Sequence, residues 1–368
     1  MRVLVVFADA MGLDQLQLAG FGSMPHRRSL DGVLGYSSGA LATLLTGALP
    51  AEHGRMCLFT QATRKSVLAP LAWLGLLPRI VHERAGLRRV LARMLARANG
   101  LTGYLALHRV PPAAFRWLDV PERDDLFAAP RIGPAETFLE RARQAGLTVY
   151  ASPWQVAEAQ RWEDAHAALS RSCPDLAFLY AADLDAALHA EGADGPRARA
   201  ARRGLVEHVD RAREAMSRAG PCLTLVVGDH GMAEVRRAID PRPILRRLTG
   251  VRPFVDSTML RLWGGAPALS RARALLQDLP GRFLDRAGLS ERGAPVEGEP
   301  YGAAAFVLDE GAIFAPSFMG GRVAGMHGYD LGSASARAAV ASDAPLPDAV
   351  RGLRDLAPLI CSSLGLAA

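Results

Sequence analysis

The sequence predicts an α/β fold built on a mainly parallel sheet, and three observations carry that expectation. Unbroken apolar runs recur at residues 3–7, 147–151, 176–180 and 223–227, as in strands covered on both faces. Helix-patterned segments at 40–45, 135–145 and 200–218 lie between them, and strands alternating with helices make parallel sheets. Polar residues then follow the runs directly: Asp9 after the first, Asp183 and Asp185 after the third, Asp229 with His230 after the fourth. In such sheets ligands gather at the carboxyl ends of strands.

The rest of the chain fits around this alternation. At 368 residues and 50% hydrophobic, it is long enough for a large core carrying insertions. Its mean hydropathy of +0.10 excludes a disordered tail, and 36 glycines without a triplet repeat exclude a collagen-like chain. The expected core is 1–60, 131–235 and 321–368. Residues 61–130, rich in Arg, Leu and Ala, are expected to form a helical cap insertion, and 236–320, with Pro, Gly and short strand-like pieces, a second cap.

Charge and cysteine usage narrow the class. Basic residues exceed acidic ones by 43 to 37, a net +6, and Lys65 is the sole lysine. That surplus suits an anionic substrate and is too small to argue for nucleic acid. The Arg-dense stretches 79–97 and 197–218 have the spacing of solvated helix faces. Cys57, Cys173, Cys222 and Cys361 are widely separated, which indicates neither a zinc knuckle nor a small disulfide framework. A reducing, cytoplasmic location is the expectation. The N-terminal apolar run is too short for a secretory signal. Residues 67–81 are interrupted by Pro70, Pro78 and Arg79, short of the roughly 20 residues a bilayer span needs, so no transmembrane segment is expected. Contact of that stretch with a lipid surface stays open, and so does the oligomeric state.

The chemistry begins at Ser37. Gly35-Tyr36-Ser37-Ser38-Gly39 fits the G-x-S-x-G pattern of a nucleophile elbow, but that elbow normally follows several strands, and no HGGG-type oxyanion motif is present. The continuation is more specific. Thr46-Gly47-Ala48-Leu49-Pro50-Ala51-Glu52-His53-Gly54, with Asp9 and Asp14 upstream, resembles the alkaline phosphatase superfamily and, within it, the type I phosphodiesterase/nucleotide pyrophosphatase family. There the nucleophile sits nine residues before the Thr of a TG-x-x-P-x-x-HG run, which here is Ser37. Three further segments follow in family order: Leu184-Asp185-Ala186-Ala187-Leu188-His189, Val227-Gly228-Asp229-His230-Gly231-Met232, and Gly325-Met326-His327-Gly328-Tyr329-Asp330.

The resemblance implies an alkaline-phosphatase-like three-layer α/β/α core and two Zn²⁺ ions, or Mn²⁺ or another divalent metal in their place. Asp185, His189 and His327 would hold one ion, and Asp9, Asp229 and His230 the other. Mixed carboxylate and imidazole donors suit zinc, and two ions roughly 4 Å apart suit an in-line displacement. The implied reaction is attack of Ser37 on phosphorus, departure of an alcohol or nucleotide, and hydrolysis of the phosphoseryl enzyme, with retention at phosphorus. A helix starting at Ser38 would add its dipole. His53 is expected to be structural.

Departures from the pattern bear on the substrate, a small phosphate ester of nucleotide, nucleotide-sugar or lipid-linked type. The family's Asn, 21 residues after the nucleophile, is Leu58 here, which removes a phosphoryl-oxygen donor; Ser38 or an Arg of the cap is the expected replacement. The sulfatase x-Pro-x-Arg continuation is absent after Ser37. A phosphomonoesterase or phosphonate hydrolase is the next reading, followed by a metal-independent serine esterase or a binding protein that has lost catalysis. The 254–259 segment is a further pocket candidate.

Overall fold

The computed structural model describes residues 1–367, and two sheets organise it. The larger has six strands: β1 (Arg2–Ala8), β2 (His26–Leu30), β3 (Val149–Ala151), β4 (Leu176–Ala181), β5 (Cys222–Gly228) and, late in the chain, Ala338–Ser342. The smaller is a four-stranded antiparallel sheet of β6 (Val251–Val255), β7 (Met259–Gly264), β8 (Gly281–Leu284) and β9 (Ala304–Leu308), which makes Ala338–Ser342 strand β10. The larger sheet runs β2-β10-β5-β1-β4-β3. Its members β5, β1, β4 and β3 are parallel, and β10 is antiparallel to both neighbours.

The central strand explains the layering. In β1 the side chains of Val3, Val5 and Phe7 face one way and Leu4, Val6 and Ala8 the other, as strand geometry requires, and all are buried. The first set packs with Leu44 of helix α2 (Ser37–Thr46), and with Phe138 and Leu356. The second packs with Leu16 of α1 (Leu13–Ala19), and with Trp162, Leu188 and Val209. These partners belong to α4 (Phe138–Gln144), α5 (Glu158–Ser172), α6 (Asp183–Glu191), α7 (Pro196–Ser217) and α8 (Leu356–Ser363), while α3 (Ala85–Ala98) lies in the 61–130 segment. Helices on both faces of one sheet make the three-layer α/β/α core. Truncating a residue such as Phe7 to Ala would cost about 3–5 kcal/mol in lost burial and cavity formation.

Several boundaries differ from the sequence expectation, each for a local reason. The helix expected over 135–145 starts at Phe138, because Thr137 accepts the Glu140 amide as an N-cap and Ala135–Glu136 pairs with Arg131–Ile132 as a short hairpin. The one expected over 200–218 starts at Pro196, whose fixed φ suits the first helical turn. The strand expected over 147–151 begins at Val149, and α2 begins at Ser37 itself. In 61–130, expected to be helical, α-helix is confined to Arg79–His82 and α3. Pro70 and Pro112 sit in 3₁₀ turns, Ala69–Leu76 and Pro112–Arg116.

Candidate metallohydrolase site

Chain ends of the larger sheet assemble the site. Asp9 follows β1 and Asp229 follows β5, neighbouring parallel strands, so both carboxylates leave at the same edge. The Asp9 amide donates to the Ala181 carbonyl at 2.9 Å, tying it to β4, and the Ala10 amide donates to Asp229 Oδ1 at 3.2 Å. Asp185 and His189 lie one turn apart on α6, which starts two residues after β4. His327 arrives from far along the chain because Gly325–Met326 pairs with Ala233–Glu234 just beyond His230, and the Ala324 amide donates to the His189 carbonyl at 2.9 Å.

All six residues come together. His230 Nε2 is 3.3 Å from Asp229 Oδ2 and 3.5 Å from Asp9 Oδ1, His189 Nε2 is 3.3 Å from Asp185 Oδ1, and His327 Nε2 is 4.0 Å from that same oxygen. The His230 and His327 rings stack with centroids 3.6 Å apart. Asp9, Asp229 and His230 place ligand atoms within 4.8 Å of one another, and so do Asp185, His230 and His327. His230 therefore stands between the two carboxylate groups, and His189 joins the second through Asp185.

Backbone acceptors orient the imidazoles. His230 Nδ1 lies 2.9 Å from the Gly231 carbonyl and His189 Nδ1 2.8 Å from the Gly325 carbonyl. Each Nδ1–H donates there, which leaves the Nε2 lone pair facing carboxylate oxygens. Lone pair against lone pair is repulsive unless a cation lies between.

The electrostatics point the same way. Burial, followed by the charges of Asp229 and Asp185, pushes the Asp9 carboxyl well above the usual range; burial raises Asp229 too, and burial with His230 and His189 holds His327 far below the ordinary imidazole value. Asp185 Oδ1, Asp229 Oδ2 and His327 Nδ1 are buried without a hydrogen-bond partner. Orphaned polar atoms of this kind cost about 1–3 kcal/mol each, and a divalent cation is the group that this donor set fits.

Ser37 is the first residue of α2, and its Oγ lies 3.1 Å from His230 Nε2 and 3.4 Å from Asp9 Oδ1. The Ser37 and Ser38 amides, at the first two helical positions, have no intrahelical acceptor. The Ser38 hydroxyl is buried and unpartnered. Leu58 brings no polar atom here: its side chain packs on the insertion cluster that contains Phe59 and Leu68. Asp14 accepts from Gln15 Nε2 at 2.9 Å and stays outside the ligand groups. His53 accepts the Arg55 amide at Nδ1 and donates from Nε2 to Thr43 Oγ1 at 2.9 Å, a neutral brace with its pKa lowered to about 4 by burial and Arg55.

Some contributors carried no sequence signal. Tyr180 donates to Asp9 Oδ2 at 3.5 Å. Tyr36, the N-cap of α2, stands edge-on to the His327 ring with centroids 5.5 Å apart. Gly328 permits that approach, because a Cβ there would lie 2.6 Å from the Tyr36 ring, and its φ of 84° favours glycine. Tyr104, from the 61–130 segment, has its hydroxyl's pKa raised by burial first, and then by the charges of Glu122, Asp9 and Asp185. In the 254–259 segment, Asp256 forms a buried ion pair with Arg261 at 2.6 Å, and Thr258 reaches Tyr36.

Comparison with known proteins gives matching results. Residues 108–286 match the family model for type I phosphodiesterase/nucleotide pyrophosphatase. That stretch contains Asp185, His189, Asp229 and His230. Solved structures of murine and human ectonucleotide pyrophosphatase/phosphodiesterase 5 superpose with TM-scores of 0.70 and 0.69, at 16% and 15% identity, covering 100% of this chain and 96% of each of theirs. An inactive variant of the murine protein in complex with AMP gives a TM-score of 0.69 at 16% identity, with the same coverage. These likenesses show the alkaline-phosphatase-like fold. No curated protein matches the sequence.

Proposed function

We propose that the chain, whose residues 108–286 match the type I phosphodiesterase/nucleotide pyrophosphatase family of phosphoric ester hydrolases, cleaves nucleotide-type phosphodiesters or pyrophosphates through a phosphoseryl intermediate on Ser37. One observation carries this reading: Ser37, at the open end of α2, points into a group of buried carboxylates and imidazoles whose Asp185 Oδ1, Asp229 Oδ2 and His327 Nδ1 lack partners. Asp9, Asp229 and His230 would hold one divalent ion, zinc being the best fit to the donors, and Asp185 with His189 and His327 the other. A divalent pair held there supplies the charge that favours the serine alkoxide and neutralises phosphoryl oxygens.

The chain's own groups do the rest. Ser37 Oγ bonds to phosphorus as the bond to the leaving oxygen breaks, and the serine proton ends on that oxygen. Water then attacks the phosphoserine, freeing Ser37 and releasing a phosphomonoester. The Ser37 and Ser38 amides and the Ser38 hydroxyl are the donors available to a phosphoryl oxygen in place of the family's Asn. AMP in the murine neighbour's complex supports a nucleoside monophosphate as the transferred group.

A serine-esterase reading fares worse. His230 is 3.1 Å from Ser37, but its Nδ1 bonds the Gly231 carbonyl, and both carboxylates crowd the Nε2 side. A Ser-His-Asp triad needs the carboxylate on the other nitrogen.

The test is initial rates on bis(p-nitrophenyl) phosphate and p-nitrophenyl phosphate with zinc supplied, for the wild type and Ser37→Ala. The expected outcome is a diester preference that Ser37→Ala reduces by a factor on the order of 10⁴ or more. A monoester preference would move the assignment to phosphatase, and activity indifferent to the substitution would end the phosphoserine mechanism.

A further inference from the structure

Outside the site, the most uneven surface of the molecule belongs to the 61–130 segment. Among the described residues nine large hydrophobic side chains are strongly exposed, and five of them fall between residues 73 and 94: Trp73, Leu76, Ile80, Val90 and Met94. Leu76 is 87% exposed and Ile80 75%, far beyond what the core asks of such residues, since Leu71 and Leu74 of the same turn, with Ala92 and Leu95 of α3, already fill the cluster beneath them. The 3₁₀ turn and α3 thus share one small core and present their other faces outward.

The same stretch is where the positive charge resides. Residues 62–118 hold ten Arg or Lys and one acid, Glu83, against a net charge of +6 for the whole chain. On α3 the outward positions interleave Arg89, Arg93 and Arg97 with Val90 and Met94. Arg79 pairs with Glu83, while Arg89, Arg93 and Arg97 enter no ion pair among the described residues. Exposed aliphatic side chains among unpaired arginines are the pattern of a segment that lies on a lipid headgroup layer, its apolar tips entering the acyl boundary and its guanidinium groups meeting anionic lipid.

We propose that the 73–97 surface docks the protein onto anionic lipid bilayers. Nucleic acid would account for the arginines and leave Leu76, Ile80 and Met94 facing water without a partner. A second copy of this surface would bring two arginine rows together. An anionic bilayer satisfies both halves of the surface.

The experiment is flotation of the full chain with phosphatidylcholine vesicles, with and without phosphatidylglycerol, for the wild type, Leu76→Asp/Ile80→Asp and Arg89→Glu/Arg93→Glu/Arg97→Glu. Melting followed by circular dichroism controls for folding, since every substituted position is exposed. The expected result is flotation only with phosphatidylglycerol, weakened by salt, lost in the aspartate variant, and reduced about a hundredfold or more in the arginine variant at roughly a factor of five per charge removed. No flotation of the wild type, or flotation unchanged in either variant of native melting behaviour, would overturn the proposal. So would a dimer in solution that the aspartate variant dissociates without any vesicle binding, or binding to a nucleic acid with none to vesicles. Failure of the hydrolase reading would leave this result untouched, because flotation does not depend on turnover.

Discussion

The hydroxyls of Tyr36 and Thr258 lie 3.0 Å apart, and through them the antiparallel sheet reaches both halves of the site. Tyr36 caps the helix that starts with Ser37. Thr258, between β6 and β7 and fully buried, also donates to the Gly328 carbonyl at 2.6 Å, directly after His327. One threonine thereby fixes the helix that begins at Ser37 against the late loop that carries His327.

Thr258→Val, nearly isosteric, should lower kcat and leave KM almost unchanged, with Thr258→Ser restoring the rate. The substitution takes the acceptor from the Tyr36 hydroxyl, which keeps only the Thr258 amide as donor, and leaves the Gly328 carbonyl without its hydroxyl donor, at about 1–3 kcal/mol for a buried group left unpaired. Steady-state kinetics on all three forms checks this, and a purely structural role would show as lower melting temperature with normal kcat.

Arg261→Leu should cost about 3–5 kcal/mol, because it leaves the Asp256 carboxylate buried and uncompensated. Arg261 is itself fully buried; it donates to Asp256 at 2.6 Å and to the Phe59 carbonyl at 2.8 Å, with Phe254, Trp263 and Tyr301 rings around it. Arg261→Leu combined with Asp256→Asn should recover part of the loss in urea melts.

Chelation should remove activity and lower the melting temperature, with zinc restoring both. Each ion present at a hundredfold above its dissociation constant would contribute about 2.7 kcal/mol of stability. Asp229→Asn should shrink the chelator's effect on melting, since it removes one of the charges an ion would compensate.

Glu122 gives the fold a pH dependence. Burial pushes its carboxyl up to about 7, against 4.5 for a free glutamate, so the folded chain holds a proton that the unfolded chain has lost. Its stabilising contribution is full below about 4.5 and disappears as pH rises through about 7. Glu122→Gln should therefore gain melting temperature over the wild type as pH increases across that window, with the two forms converging at its acid end.

Taken alone, the amino-acid sequence determined the β1, β4 and β5 strands and the polar residues that follow them. Their apolar runs are continuous because both faces are covered, and Asp9, Asp185, Asp229 and His230 lie within a few residues of their ends. Ser37 and His327 were singled out by the family resemblance of their motifs. Strand β2 was not: His26–Leu30 is a polar edge strand, only its last residue fully buried, and it pairs with β10 some 300 residues later. The Tyr36–Thr258 contact, the partnership of Asp256 with Arg261 and the place of His230 between two carboxylate groups belong to the tertiary structure alone. Each joins chain segments by side chains whose meeting no local period encodes, or depends on burial that only the packed core supplies.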